Sequence, residues 1–144
     1  MSDGPASLLV DTPVWMSAML THEPQHAESV HALTTMRAHA VPVILPDIVR
    51  LELACGIARR AGARAAAEVL DHVLRWPGVR LLSVDGGTID VAIRLGTASR
   101  LRSMDAWLVA LARVTGATLV TWDGELRQRA GALSPAEWAL RPVQ

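Results

Sequence analysis

The sequence predicts an α/β fold, a three-layer α/β/α sandwich with a central and mainly parallel sheet. Short apolar runs of strand length alternate along the chain with longer segments whose apolar residues have helical spacing. Such alternation requires right-handed crossovers and a sheet that helices cover on both faces. The 144 residues contain no internal repeat, linker or low-complexity stretch. We therefore expect a single domain over residues 1–144.

The first two strands are expected to be buried, because they are almost continuously apolar. The first consists of Leu8, Leu9 and Val10 with Asp11 at its end, and the second lies between two prolines. The predicted parallel strands cover residues 7–11, 43–45, 79–84 and 117–121. A short edge strand is expected at 138–143.

Glycine and proline mark the ends of the predicted helices. Thr12 is expected to be the N-cap of the first helix, with Pro13 at its first helical position. Gly62 separates two helices, and Ser103 is a second expected N-cap that places Asp105 in a first helical turn. The predicted helices cover residues 12–20, 24–40, 46–61, 63–76, 87–101, 103–115 and 125–130.

Composition restricts the class of protein. The 14 basic residues are all Arg and balance 14 acidic residues, which argues against non-specific binding of nucleic acid. A local Arg patch is still compatible with neutrality, because electrostatic fields depend on how charges are distributed. Cys55 is the only cysteine, which fits a reducing compartment, and we expect it to be a small buried apolar residue. Residues 1–7 do not resemble a signal peptide and no apolar run has transmembrane length, so we expect a cytoplasmic protein.

Four carboxylates occupy positions where acids are unusual. Asp11 and Asp123 follow strand-like runs, while Glu52 and Asp105 lie in otherwise apolar helical segments. In parallel α/β sheets, ligands bind at the carboxyl ends of strands, where the direction of winding reverses. Ionised carboxylates among apolar neighbours are costly unless a positive charge stabilises them. If the four acids meet, a divalent metal ion is the simplest partner for them.

Each acid also has a purely structural interpretation. The sole role of Asp11 could be to cap the following helix, and Asp105 in a first helical turn interacts favourably with the helix dipole. Asp123 begins an ordinary turn with the next glycine, and Glu52 could pair with Arg59. The functional interpretation depends on the convergence of all four at one end of the sheet.

Four stretches, in this order and spacing, resemble the PIN-domain family and within it the VapC-type toxins of type II toxin–antitoxin pairs. The similarity extends from Leu8 to about Arg129. The stretches are Asp11-Thr12-Pro13-Val14-Trp15, Glu52-Leu53, Met104-Asp105-Ala106 and Thr121-Trp122-Asp123-Gly124-Glu125-Leu126.

The resemblance implies a PIN-like, Rossmann-like fold and a metal-dependent ribonuclease. By position, the metal-binding and catalytic acids are Asp11, Glu52, Asp105 and Asp123, and Thr12 and Thr121 match hydroxyl positions that support the site. An all-oxygen site suits Mg²⁺ or Mn²⁺. Such a metal would activate a water and neutralise charge on a scissile phosphate. The expected reaction is hydrolysis of RNA phosphodiester bonds.

Arginines near the acids are candidates for contacts with RNA phosphates, because guanidinium groups bind phosphate through two parallel hydrogen bonds. Arg100 and Arg102 precede Asp105, and Arg127 and Arg129 follow Asp123. The alternative is that each of them only solvates a helix surface.

The resemblance also implies partners. A toxin of this class would bind a small antitoxin and form a homodimer. The competing hypothesis is a non-catalytic PIN-like scaffold that binds a partner or RNA without cleaving it. Cleavage of RNA that stops on chelation would distinguish the two.

Overall fold

The computed structural model describes residues 6–142 and contains a four-stranded sheet with seven helices in that part of the chain. The strands are β1 (Leu8–Val10), β2 (Val43–Pro46), β3 (Val79–Leu82) and β4 (Thr118–Val120). The helices are α1 (Thr12–Met19), α2 (His26–Ala38), α3 (Asp47–Leu74), α4 (Gly86–Ser99), α5 (Ser103–Thr115), α6 (Gly124–Ala130) and α7 (Pro135–Ala139).

The sheet has the strand order β3-β2-β1-β4, and all its pairs are parallel. From β1 the chain winds through β2 to β3 on one side, and β4 then returns to the other side of β1. The winding direction therefore reverses between β1 and β4, and the crevice beyond their carboxyl ends is the expected ligand site.

Every residue of β1 and β2 is buried. Because successive side chains of a strand point to opposite faces, both faces of the central sheet must be covered. Helix α3 contributes Val49, Leu53 and Ile57, which are at most 2% exposed and repeat every four residues. Helix α5 packs against β1 and β4. The predicted α/β/α sandwich is confirmed.

Two sequence-based boundaries change in detail, and a third is as expected. The N-cap of α1 is Asp11, whose side chain accepts a hydrogen bond from the Thr12 N–H, so Thr12 is the first helical residue. The expected N-cap Ser103 is likewise the first residue of α5, and Arg102 precedes it without a side-chain cap. Gly62 interrupts α3 as expected, with a φ of 90° and a ψ of 165°.

Two expectations are wrong. The segment expected as an edge strand at 138–143 begins inside helix α7, because Ser134 and Glu137 form a capping box that starts a helix at Pro135. Cys55 is exposed, because the core-facing side of α3 is the stripe that contains Leu53 and Ile57. Residues 1–5, part of the N-terminal segment that was expected not to be a signal peptide, lie outside the described residues. The same is true of Val143, the last residue of the expected edge strand. Between residues 6 and 142, no helix combines the length and apolar character needed to cross a bilayer.

Candidate active site

The two acids that follow strands lie beside each other because β1 and β4 are neighbours. Val10 is in register with Val120, and the Asp11 N–H extends the pairing by donating to the Val120 carbonyl over 2.9 Å. Asp11 therefore leaves the sheet at the point where β4 also ends. The sequence-based expectation depended on this adjacency of strands, and the structure shows it.

Thr121 connects the two strand-end acids through a single hydroxyl group. Its Oγ1 donates to Asp11 Oδ2 over 2.8 Å and accepts a hydrogen bond from the Asp123 N–H over 3.0 Å. The side chain is completely buried. A buried hydroxyl that both donates and accepts has little freedom, so Thr121 fixes the orientation of the Asp11 carboxylate and of the backbone at Asp123.

Asp11 is an acid in an environment that disfavours its charge. The residue is only 6% exposed. Burial raises the pKa of Asp11 from 3.8 to about 6, and the nearby charges of Glu52 and Asp105 add to the increase. Hydrogen bonds from Thr121 and from the Thr12 N–H act in the opposite direction but are outweighed. Capping of α1 alone does not explain such a carboxylate.

Glu52 reaches the same region from α3. Its Oε2 accepts a hydrogen bond of 2.6 Å from Thr12 Oγ1, across 40 positions of sequence. The alternative partner Arg59 is exposed and makes no ion pair with Glu52 in the described part of the chain. Thr12 thus uses its hydroxyl to position an acid, while the neighbouring Asp11 serves as the N-cap of α1.

Asp105, in the first turn of α5, is the fourth acid. Partial burial raises the pKa of Asp105, and the charges of Asp123, Glu125 and Glu52 raise it further, while the Arg102 guanidinium lowers it. These mutual effects place the acids of β1, α3, α5 and the β4–α6 connection around one region. We call Asp11, Glu52, Asp105 and Asp123 the acid cluster.

Asp123 has a structural role as well. Its Oδ1 accepts hydrogen bonds from the Glu125 and Leu126 N–H groups at 2.8 and 3.2 Å, so it caps α6. The cap uses one carboxylate oxygen only. Asp123 therefore combines the structural interpretation with a position beside the other acids.

Glu125 is the acid that sequence reasoning did not select as a site residue. It contributes to the raised pKa of Asp105, and it also pairs with Arg129 at 3.0 Å. The available signal was its position two residues after Asp123, in the first turn of α6. That position has an ordinary helix-dipole explanation, which hid its proximity to Asp105.

The donor atoms of the acid cluster are all carboxylate oxygens, the ligand type that Mg²⁺ and Mn²⁺ prefer. Among residues 6–142, no three side chains of Asp, Glu, His or Cys form a closed set of ligands for a metal ion. The four acids thus have the right chemistry and surround one region. Hydrogen bonds through Thr121 and Thr12 connect Asp11 to the backbone of Asp123 and to Glu52, whereas Asp105, within the described residues, is related to the other acids only through its charge.

The four arginines expected at the RNA-facing surface have different surroundings. Arg102 lies near Asp105, and Arg100 occupies a left-handed turn with a φ of 53° between α4 and α5. Arg127 forms an ion pair of 2.6 Å with Glu137. Arg129 donates to the carbonyls of Ser99 and Arg100 at 3.1 and 3.2 Å, so it connects α6 to the end of α4.

Residues 8–132 match the model of the PIN domain family, and the chain belongs to that family. PIN domains are nucleases, and they generally use divalent metal ions. Among curated proteins, none matches this sequence.

Solved structures of toxins share the fold. Mycobacterium tuberculosis VapC20, a toxin that cleaves the sarcin–ricin loop, is 23% identical with a TM-score of 0.71, over 94% of this chain and 99% of that one. A toxin–antitoxin complex from Klebsiella pneumoniae is 17% identical with a TM-score of 0.69, over 90% and 98%. VapBC2 from Rickettsia felis, bound to a DNA fragment of its promoter, is 16% identical with a TM-score of 0.70, over 89% and 96%. At these identities the likeness establishes the fold.

Proposed function

We propose that this protein is a Mg²⁺- or Mn²⁺-dependent endoribonuclease of the cytoplasm and the toxin of a toxin–antitoxin pair. One observation carries the proposal. Asp11 is a buried carboxylate at the reversal of strand winding, and its pKa is raised both by burial and by two other acids from distant parts of the chain. A divalent cation would relieve this repulsion, and membership of a nuclease family supplies the chemistry that such a cation supports.

Asp11, Glu52, Asp105 and Asp123 would hold the metal. When bound, the ion lowers the pKa of a water and neutralises charge that develops on the phosphate. The protein's own contribution is orientation. Thr121 holds one oxygen of Asp11 and the backbone at Asp123, while Thr12 holds Glu52 through a bond of 2.6 Å. Such supporting hydrogen bonds typically contribute about 10- to 100-fold to metal affinity or activity.

For the RNA strand, we propose that Arg100 and Arg102 contact phosphates beside Asp105. Arg127 and Arg129 belong to the same proposed surface, although each also has an intramolecular partner. Arg102 is the strongest candidate, because its charge already acts on Asp105. A guanidinium next to the acid cluster would offset the repulsion between the carboxylates and an approaching phosphate.

For partners, we propose an antitoxin and a second copy of this chain. Support for the antitoxin comes from the solved structures, two of which are toxin–antitoxin assemblies. Helix α3 offers an accessible surface near Glu52, where Leu51 is 57% exposed and Cys55 is also exposed. An antitoxin that covered this surface would lie beside the acid cluster.

The direct test is cleavage of RNA by the purified protein with Mg²⁺ or Mn²⁺, with excess chelator, and after Asp105→Asn. Asp90→Asn is the matched control, because Asp90 is an exposed acid on α4 outside the acid cluster. We expect cleavage that requires the metal and that Asp105→Asn lowers by at least about 100-fold, since a ligand change exceeds the loss of a supporting contact. Asp90→Asn should retain wild-type activity. RNA that is bound but never cleaved would instead identify a non-catalytic scaffold.

A further inference from the structure

A cavity lies between α6 and α7, and its lining begins at the residue that follows Asp123 in the chain. Its volume is about 610 Å³, within the range of about 300–1,000 Å³ that small-molecule sites occupy. The residues that matter for its chemistry are Gly124, Arg127, Gln128, Leu133, Glu137 and Arg141. Gly124 is the lining residue nearest in sequence to the acid cluster, because it directly follows Asp123.

The charged residues of the cavity leave a positive excess. Glu137 accepts hydrogen bonds from the Ser134 N–H and from Arg127, and these hold the pKa of Glu137 below its usual value. It is therefore ionised at neutral pH and balances one of the two arginines. Arg127 is fixed by this ion pair of 2.6 Å, whereas Arg141 is exposed and has no ion pair within residues 6–142. One positive charge remains for an anionic ligand.

The cavity wall is chemically mixed. The Gln128 side chain offers both a donor and an acceptor, and Leu133 with Ala132 supplies apolar surface. A nucleotide has the same combination, because it carries a phosphate anion, hydrogen-bonding base edges and a flat apolar base face. An inorganic anion alone would leave most of a volume of this size unused.

We propose that the cavity between α6 and α7 receives one nucleotide of single-stranded RNA, next to the bond that the acid cluster cleaves, with its phosphate paired to Arg141 and Arg127. The position of the cleaved bond rests on the proposed function. The binding itself does not, because it requires no metal and no reaction. Gly124, which lines the cavity, directly follows Asp123 of the acid cluster in the chain, so a strand bound at Asp123 is placed close to the entrance of the cavity.

The test measures binding of a short fluorescein-labelled single-stranded RNA of mixed sequence by anisotropy, in excess EDTA, over a series of salt concentrations. The variants are Arg141→Gln, which removes the charge of Arg141, and Gln128→Glu, which adds a negative charge with almost no change of shape. Arg113→Gln is the matched control. Arg113 is exposed and lies in the last turn of α5, at the opposite end of that helix from Asp105.

We expect Arg141→Gln to weaken binding about fivefold, as for the loss of one exposed charge contact. The slope of log K against log salt should become shallower by about 0.7, the value for one phosphate contact on a single strand. Gln128→Glu should weaken binding, and Arg113→Gln should change neither the affinity nor the slope. Equal melting temperatures will show that all variants are folded.

The proposal is overturned if Arg141→Gln retains the wild-type affinity and slope, if Arg113→Gln reduces them equally, or if the wild type binds no RNA. An acidic segment of a protein partner would then be the better occupant of the cavity. The two proposals fail separately. If RNA binds through Arg141 but is not cleaved after Mg²⁺ or Mn²⁺ is added, only the proposed nuclease activity is contradicted. If RNA is cleaved but Arg141→Gln binds it as tightly as wild type, only the proposed nucleotide site in the cavity is contradicted.

Discussion

Removing the charge of Asp11 should stabilise the protein when no divalent metal is present. The pKa of Asp11 is about 6 in the folded protein and 3.8 as the reference for an unfolded chain. A difference of about 2 units at about 1.4 kcal/mol per unit corresponds to about 3 kcal/mol. Because the folded-state pKa is raised, this folding stability of about 3 kcal/mol is fully present below pH 3.8 and is lost as the pH rises through about 6. At neutral pH the metal-free wild type is destabilised by the full amount.

Asp11→Asn keeps the shape of the side chain and cannot ionise. Its amide can still accept from the Thr12 N–H and donate to Thr121 Oγ1, at the positions where the carboxylate now makes bonds of 2.8 Å, but the Thr121 hydroxyl then loses the acceptor of its own proton. Allowing for weaker hydrogen bonds, we expect a gain of about 2 kcal/mol over wild type at neutral pH in EDTA. For a chain of this length, this corresponds to a rise of about 5 °C in melting temperature.

The assay is urea unfolding in EDTA at pH values from about 4 to about 8, with Asp90→Asn as the matched control. Wild type and Asp90→Asn should lose stability between about pH 4 and pH 6, and Asp11→Asn should lose less. Saturating Mg²⁺ or Mn²⁺ should then stabilise the wild type and not Asp11→Asn. A metal-free Asp11→Asn protein that is less stable than wild type at neutral pH would refute the argument from buried charge.

Two further substitutions test the support around the site. Thr12→Val removes the hydrogen-bond donor to Glu52 Oε2. We expect the free energy of unfolding in EDTA to fall by about 1–2 kcal/mol, and the metal-induced rise in melting temperature to become smaller. An unchanged response to metal would contradict the role of Thr12. Gly96→Ala places a Cβ 2.9 Å from Ala106 Cβ, so it should separate α4 from α5 and cost about 1–3 kcal/mol in urea unfolding. The control Gly86→Ala meets no atom within 4 Å, and equal effects of the two changes would refute the packing argument.

The order of strands and helices followed from the sequence because each strand is a short apolar run bounded by glycine, proline or an acid. The adjacency of β1 and β4 did not follow from any local pattern. It came from the general rule that chains wind outward from a reversal point in such sheets. The convergence of acids 112 positions apart, Asp11 and Asp123, was therefore an inference about topology, and the structure places both at the same end of the sheet.

The wrong expectations have separate causes. Asp11 and Thr12 are consecutive residues that can both cap a helix; in the structure Asp11 is the cap, and the Thr12 hydroxyl donates to the distant Glu52. The helix α7 was predictable, because Ser134 and Glu137 have the spacing of a capping box. The exposure of Cys55 was not predictable, because α3 is apolar almost all round before Gly62. The tertiary fold decides which side of this helix packs on the sheet.

The turns that precede the strands lie at the amino ends of the strands, and the acids lie at the opposite, carboxyl ends. They include Gly78 before β3 and Gly116 before β4, both with positive φ. A linker or fluorophore attached to an exposed residue of the loop before β4 would be separated from the acids by the length of a strand. The protein can thus be immobilised or labelled there, so that measurements of metal and RNA binding are made with the opposite end of the molecule left free.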